Sequence, residues 1–256
     1  MRNWLPGVPA LPSSHDGGSM TGSDPYWVWH SYEAPYQLTA LNAAKSLIRA
    51  GNEVHFTFHP IDGDIVQILP ANRAGRGLVN KPGGVQTNRQ GRCCVQVEVI
   101  AYAKRPWTLD LTPAGRKGLA KLMAYAAELG VPPRWPAGPP PAYPNGSDPR
   151  SVRLWNGPGG HFSHSQIPEN THGDPGAIDI RALFATVTPQ EDIMAKLDAD
   201  DYDEIARRVW AYRNTDAGDP GDMHQQVRDI HDRPSGTPAT QEELQQALRT
   251  VLGSLA

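Results

Sequence analysis

Cysteine is scarce in this chain of 256 residues: there are two, Cys93 and Cys94. Adjacent residues do not readily meet the geometry of a disulfide, so a covalently stapled scaffold is excluded and both are expected as reduced, buried strand residues. Long apolar runs are also missing. No stretch approaches the ~18 to 20 residues that a spanning helix needs, and the mean hydropathy of -0.51 agrees, so stable membrane insertion is not expected. An excess of one charge is absent too: the net charge of -3 leaves no overall basic footprint, and nucleic acid is a poor candidate partner. The opening residues MRNWLPGVPALPSSHDGGS lack a basic stretch followed by an apolar core and a small-residue cleavage site, so no secretory signal is read there and a cytoplasmic location is expected. Fixed-period repeats do not occur.

What remains is a globular composition, 39% hydrophobic and 20% charged, with room for one principal core and an appendage. Residues 1–25 are rich in Pro, Gly and Ser without periodicity and are expected as an extended arm. YWVWH (26–30) reads as a buried strand ending on a histidine. LTALNAAKSLIRAG (38–51) carries apolar residues at helical spacing, with Gly51 as its stop. VHFTFHPIDGDIVQILP (54–70) predicts two short strands around Asp62-Gly63, a hairpin placed beside the first strand. CCVQVEVIAYA (93–103) is the clearest strand, with Val95, Val97 and Val99 on one side and Glu98 on the other. Residues 112–130 suit a second helix, capped by Thr112, with Pro113 at its first position and Gly130 at its end. From about Pro189 the composition turns to acidic amphipathic helices with a leucine stripe from Leu244 to Leu255, and a domain boundary is expected near residue 186.

Chemistry concentrates in GGHFSHSQIPENTHGDPGAID (159–179), a glycine-flanked segment read as a loop, which holds His161, His164, His172 and Asp174. So polar a loop needs stabilisation from something other than a core. Imidazole nitrogens and a carboxylate oxygen suit tetrahedral Zn²⁺, and three protein ligands leave a fourth position open for catalysis. Each residue also has a bland reading. His30 taken alone is a packed core histidine, Asp174 caps the turn before Pro175, Glu98 is a solvated residue on an edge strand, and His161 competes with His164 as the ligand.

Four motifs in order, YWVWH, VHFTFHPIDGDIVQ, VQVEVIAYA and HSQIPENTHGDPG, make residues 26 to 183 resemble the zinc N-acetylmuramoyl-L-alanine amidases of the peptidoglycan-recognition-protein type, especially endolysins of phages that infect actinobacteria. The resemblance implies an α/β fold, a central mixed β-sheet flanked by helices, followed here by a small helical C-terminal region. It makes His30, His164 and Asp174 the zinc ligands. Glu98 matches the strand carboxylate that serves as general base, and His172 the group that donates to the oxyanion. Where many relatives carry a Tyr before the second-strand histidine, this chain has Val54, which leaves the base role to Glu98 alone. His55 is expected in the core or behind the site, and His59 in a surface turn. Asn80, Asn88 and Arg89 lie where such enzymes form a groove wall.

The implied activity is hydrolysis of the amide between N-acetylmuramic acid and L-alanine in peptidoglycan, by an endolysin held in the host cytoplasm until its release to the wall. A peptidoglycan-binding module without catalysis and a virion-associated structural component stay open as alternatives. The C-terminal leucine stripe fits self-association or packing against the first domain.

Overall fold

A computed structural model of the chain describes residues 2–146 and 150–185; the helical region expected after residue 186, its boundary and its self-association lie outside the described residues. The elements run β1 (Pro25–Ser31), α1 (Ala40–Ala50), β2 (Phe56–Phe58), β3 (Ile65–Gln67), β4 (Cys93–Val99), α2 (Pro113–Glu128), α3 (Val152–Trp155), β5 (Gly160–Ser163) and α4 (Ile180–Ala185). This is an α/β fold with a mixed five-stranded sheet in the order β3-β2-β4-β1-β5. β1 is parallel to β4 and β5, β4 is parallel to β2, and only β2 and β3 run antiparallel. The hairpin therefore flanks β4 and not β1 as expected: β4, as long as β1 and richer in β-branched residues, takes the place between them. No described helix is long and apolar enough to cross a membrane.

Both principal helices begin and end where their sequence directs. Thr39 accepts a hydrogen bond from the Asn42 N–H at the start of α1, and Gly51, at φ 70°, closes it with N–H bonds back to Leu47 and Ile48. In α2 Thr112 caps the Gly115 N–H and Pro113 occupies the first turn.

Alternation along the strands sorts side chains between two layers. Trp27 and Trp29 of β1, Phe56 and Phe58 of β2, and Cys93, Val95, Val97 and Val99 of β4 form one cluster with Leu119, Leu122, Met123, Tyr125 and Ala126 of α2. On the opposite face α1 packs through Ala40, Ala43, Ala44 and Leu47 around Val66 and Ile68. Tyr26, Val28, Cys94 and Phe162 meet Trp155 and Ile167. Between these two patches the same face carries His30, Gln96 and Glu98. Both cysteines are free and buried, one in each layer.

Residues 2–24 contain no helix or strand, yet they are bound along their length to residues 67–92. Ala10 bridges Gln67 on the outer edge of β3, and Gln67 also accepts the Leu5 N–H on its side chain. Farther along, Arg73 makes a two-pronged contact with Asp16, 2.8 Å on each arm. The segment thereby covers a strand edge that would otherwise present unpaired backbone groups.

Candidate metal centre

Three parallel strands end at one place. Register pairs His30 directly with Glu98, so both stand on the same face at the C-terminal ends of β1 and β4. β5 ends at Ser163, and a 3-10 turn, His164–Gln166, follows at once. The segment from 160 to 163, read as loop from sequence, is thus a strand: four residues parallel to β1, too short and too rich in Gly, His and Ser to announce itself. The Gln166 carboxamide fixes the turn by accepting from the Ser163 N–H at 3.2 Å and the Trp135 indole at 2.6 Å. Asp174 returns to the site on the following loop, where its carbonyl accepts the Ser165 N–H at 2.8 Å and its carboxylate the Ser31 N–H at 3.2 Å.

His30, His164 and Asp174 are all buried and each offers one ligand atom, all within 4.8 Å of one another. The Nδ1 atoms of His30 and His164 are 3.0 Å apart. Asp174 Oδ1 lies 3.2 Å from His164 Nδ1, and Oδ2 lies 3.7 Å from His30 Nδ1. Tetrahedral zinc with arms of about 2.0 to 2.1 Å spaces its ligand atoms by about 3.3 Å, so this donor set fits the ion. Protonation fits as well. Burial, then the neighbouring His164, lowers His30 to about 3, which keeps it neutral. Burial works to raise the Asp174 carboxyl, but the neighbouring His164 and His172 side chains prevail and hold it far below the usual carboxylate range. Neutral imidazole and ionised carboxylate are the forms that bind metal.

Glu98 lies beside the cluster with Oε1 3.9 Å from His30 Nδ1, on a strand flanked by β2 and β1. The solvated edge position is thereby replaced by a half-buried one inside the sheet. Its Oε2 has no hydrogen-bond partner, and neither has His30 Nε2. Burial, with Asp174 and Glu33 adding negative charge nearby, pushes the Glu98 carboxyl well above its ordinary range. His172 stacks on His164 with ring centroids 4.5 Å apart and stays mostly exposed. Its Nδ1 is 3.5 Å from Asp174 Oδ1, and that contact raises its pKa.

His161 belongs elsewhere. Its register partner is Trp27, which places it on the α2 face, where it accepts the Trp29 indole N–H at 3.3 Å and stacks with Trp29 and Trp135. Burial lowers it to about 3. His55 is a core residue that ties two chain segments: its Nδ1 accepts the Gln96 N–H at 3.1 Å and its Nε2–H reaches the Arg73 carbonyl at 2.8 Å. His59, expected on the surface, is buried, because Nδ1 accepts the N–H groups of Ile61 and Asp62 while Nε2 bonds the Tyr36 carbonyl at 2.8 Å.

The segment of residues 76–90 covers the polar face next to the site, and Asn80, Asn88 and Arg89, placed by sequence where a groove wall would form, tie it to itself and to its neighbours. Asn88 bonds the backbone of Leu78 and the side chain of Gln96, and Asn80 accepts from Thr87 and Asn88. Arg89 donates to the Ser19 carbonyl at 2.7 Å. Gly77 permits the close fit, since a Cβ there would lie 2.6 Å from Gln96 Oε1 and 2.8 Å from Val54 Cγ1. Three groups near the site were not foreseen from sequence: Asn170 bonds His164 Nε2 at 3.0 Å, Arg150 donates to the carbonyls of His164 and His172, and Glu33 holds the Ala103 N–H. The sole sequence signal for Asn170 was its place between His164 and Asp174. A groove between the N-terminal segment, the start of α1 and the hairpin, lined by Val8, Thr39, Leu41, Asp64 and Lys121, contains none of these residues.

No family model matches the chain, and no curated protein matches it. Among solved structures it is similar to the hydrolase AmiA of Staphylococcus aureus, solved in complex with its ligand, at 14% identity over 72% of this chain and 82% of that one, with a TM-score of 0.46. It is similar to the N-acetylmuramoyl-L-alanine amidase LysC of Clostridium intestinale at 14% identity, over 70% and 96% of the two chains, with a TM-score of 0.42. AmpD of Citrobacter freundii matches at 18% identity over 73% and 94%, with a TM-score of 0.41.

Proposed function

We propose that this chain is a zinc-dependent N-acetylmuramoyl-L-alanine amidase, a peptidoglycan hydrolase acting as an endolysin of an actinobacterial phage and kept in the host cytoplasm until it reaches the wall. The observation that carries the reading is the convergence of His30 Nδ1, His164 Nδ1 and the Asp174 carboxylate within 4.8 Å, with the Glu98 carboxyl at its side. The four ordered motifs supply the substrate class and the phage setting.

His30, His164 and Asp174 would hold the ion, and bound zinc supplies a Lewis acid for the scissile carbonyl and the attacking water. Glu98 takes a proton from that water as its oxygen bonds to the lactyl carbonyl carbon. The same carboxyl then gives the proton to the L-alanine nitrogen as the C–N bond breaks, leaving a lactyl carboxylic acid, whose remaining proton passes to the amine or to solvent, and a free amino group. The desolvated setting that raises the affinity of Glu98 for a proton suits both halves of this transfer. His172, kept protonated more readily by Asp174, donates to the carbonyl oxygen as negative charge develops, a contact worth ~3 to 4 kcal/mol in other hydrolases.

The test is zinc content by elemental analysis on wild type and Asp174→Ala, with amine release from peptidoglycan assayed on the same samples. One zinc per chain in wild type, with zinc and amine release both lost in the variant, is the expected result. A wild type that cannot be loaded with zinc and releases no amine would overturn the reading in favour of binding without catalysis.

A further inference from the structure

Asn170 is buried on the turn between the two later members of the cluster, and its side chain is fully engaged. Oδ1 accepts the Val79 N–H at 2.8 Å, a bond with only one possible polarity because a backbone amide cannot accept. Nδ2 donates to the Pro168 carbonyl at 2.9 Å and to the Val79 carbonyl at 3.3 Å. These three contacts leave no freedom to exchange oxygen and nitrogen. The remaining lone pair of Oδ1 faces His164 Nε2 at 3.0 Å, so His164 must carry its proton on Nε2. Its Nδ1 then presents a lone pair, and this is the atom 3.0 Å from His30 Nδ1 and 3.2 Å from Asp174 Oδ1.

We infer that Asn170 is a positioning residue that sets the tautomer and ring orientation of His164 for metal binding and ties that ring to residues 76–90 of the covering segment. The same turn grips this segment a second time: Glu169, at φ 60°, accepts the Val85 N–H at 3.1 Å, and its carboxylate lies 2.2 Å from where a Cβ on Gly84 would stand. Residues 79–85 are therefore joined to the turn that holds His164 by both Asn170 and Glu169. The inference rests on the metal-amidase reading of the site.

Partners of this kind behind a metal-binding histidine change affinity by 10 to 100-fold when removed. Zinc dissociation constants measured by chelator competition on the full chain should rise by about that factor in Asn170→Ala. Asn170→Asp keeps an acceptor facing both Val79 N–H and His164 Nε2–H while losing the amide donors, so it should bind zinc within a few-fold of wild type. Spectra of ¹⁵N-histidine protein free of zinc, with His164 assigned by its loss in His164→Gln, should show the Nε2–H tautomer in wild type and Asn170→Asp and a mixture in Asn170→Ala. If the alanine variant folds poorly, the isosteric Asn170→Leu takes its place. A folded variant lacking the carboxamide that binds zinc as tightly as wild type with an unchanged His164 signal would overturn the inference and leave the amidase reading standing. Equal weakening by alanine and aspartate would overturn it as well, because a purely structural stitch predicts that pattern. A wild type unable to bind zinc removes both.

Discussion

The two faces of the sheet are made by the same strands and differ in what they ask of each side chain. On the α2 face Trp27, Trp29, Phe56, Val95, Val97 and Val99 close on the helix, and even a buried histidine, His161, is held by an indole and aromatic stacking. On the other face His30, Gln96 and Glu98 occupy equivalent positions one residue away, and nearly every polar atom there is tied to a loop: Gln96 to Gly77 and Asn88, His55 to Arg73. Glu98 Oε2 and His30 Nε2 at the candidate centre lack partners, as do Glu53 Oε2, Ser31 Oγ and the indole nitrogens of Trp27 and Trp107 among the other buried groups. Packing gives the first face its order and hydrogen bonding the second.

The largest effect that would sharpen this contrast is expected from Glu98→Gln. Loss of the proton carrier should lower turnover on peptidoglycan by about 10² to 10⁴-fold, whereas the neutral isostere should leave the urea unfolding midpoint and zinc content near wild type. An equal loss of stability would show that the polar face depends on Glu98 for its folding. One residue before His30 the opposite holds: Trp29→Ala should lower unfolding free energy by about 3 to 5 kcal/mol and leave the folded fraction able to bind zinc. A cost under about 1 kcal/mol in denaturant titrations, below the range for such truncations, would break the claim that packing orders the α2 face.

The smallest effect expected is in acid. Burial lowers His55 to about 4 from an ordinary 6.5, so between those values the unfolded chain binds a proton that the native state refuses. The stabilisation is complete above pH 6.5 and is lost as the pH falls toward 4, at about 1.4 kcal/mol per unit. His55→Gln should flatten the slope of unfolding free energy against pH by about one proton in that window. An unchanged slope would show that His55 does not titrate differently in the folded and unfolded states.

Elements with a local cause were open to reading from sequence. Thr39 with Gly51 and Thr112 with Pro113 bound the helices, Asp62-Gly63 turns the hairpin, and the alternation from Cys93 to Val99 marks a strand. What escaped depends on distant residues. Gly160–Ser163 becomes a strand because β1 offers a paired edge, and the hairpin goes to β4 because pairing is decided across the sheet. His59 is buried because Tyr36 supplies a carbonyl. At the site the ordered motifs named His30, Glu98, His164, His172 and Asp174, and the structure brings these five side chains together. Asn170 was not legible because its partner Val79 precedes it by most of the domain.

β1 lies inside the sheet, and its pairing has a bearing on how the chain emerges from the ribosome. Pro25 pairs with Cys93 and Tyr26 with Gly160, so this strand is synthesised long before either neighbour exists. Its two tryptophans then wait, uncovered, through most of translation of the domain. A topology dominated by such distant contacts folds slowly, and the waiting strand is a surface on which nascent chains can stick to one another. Expression at reduced temperature, or with a holdase chaperone that shields Trp27 and Trp29, is accordingly the condition in which soluble yield should improve.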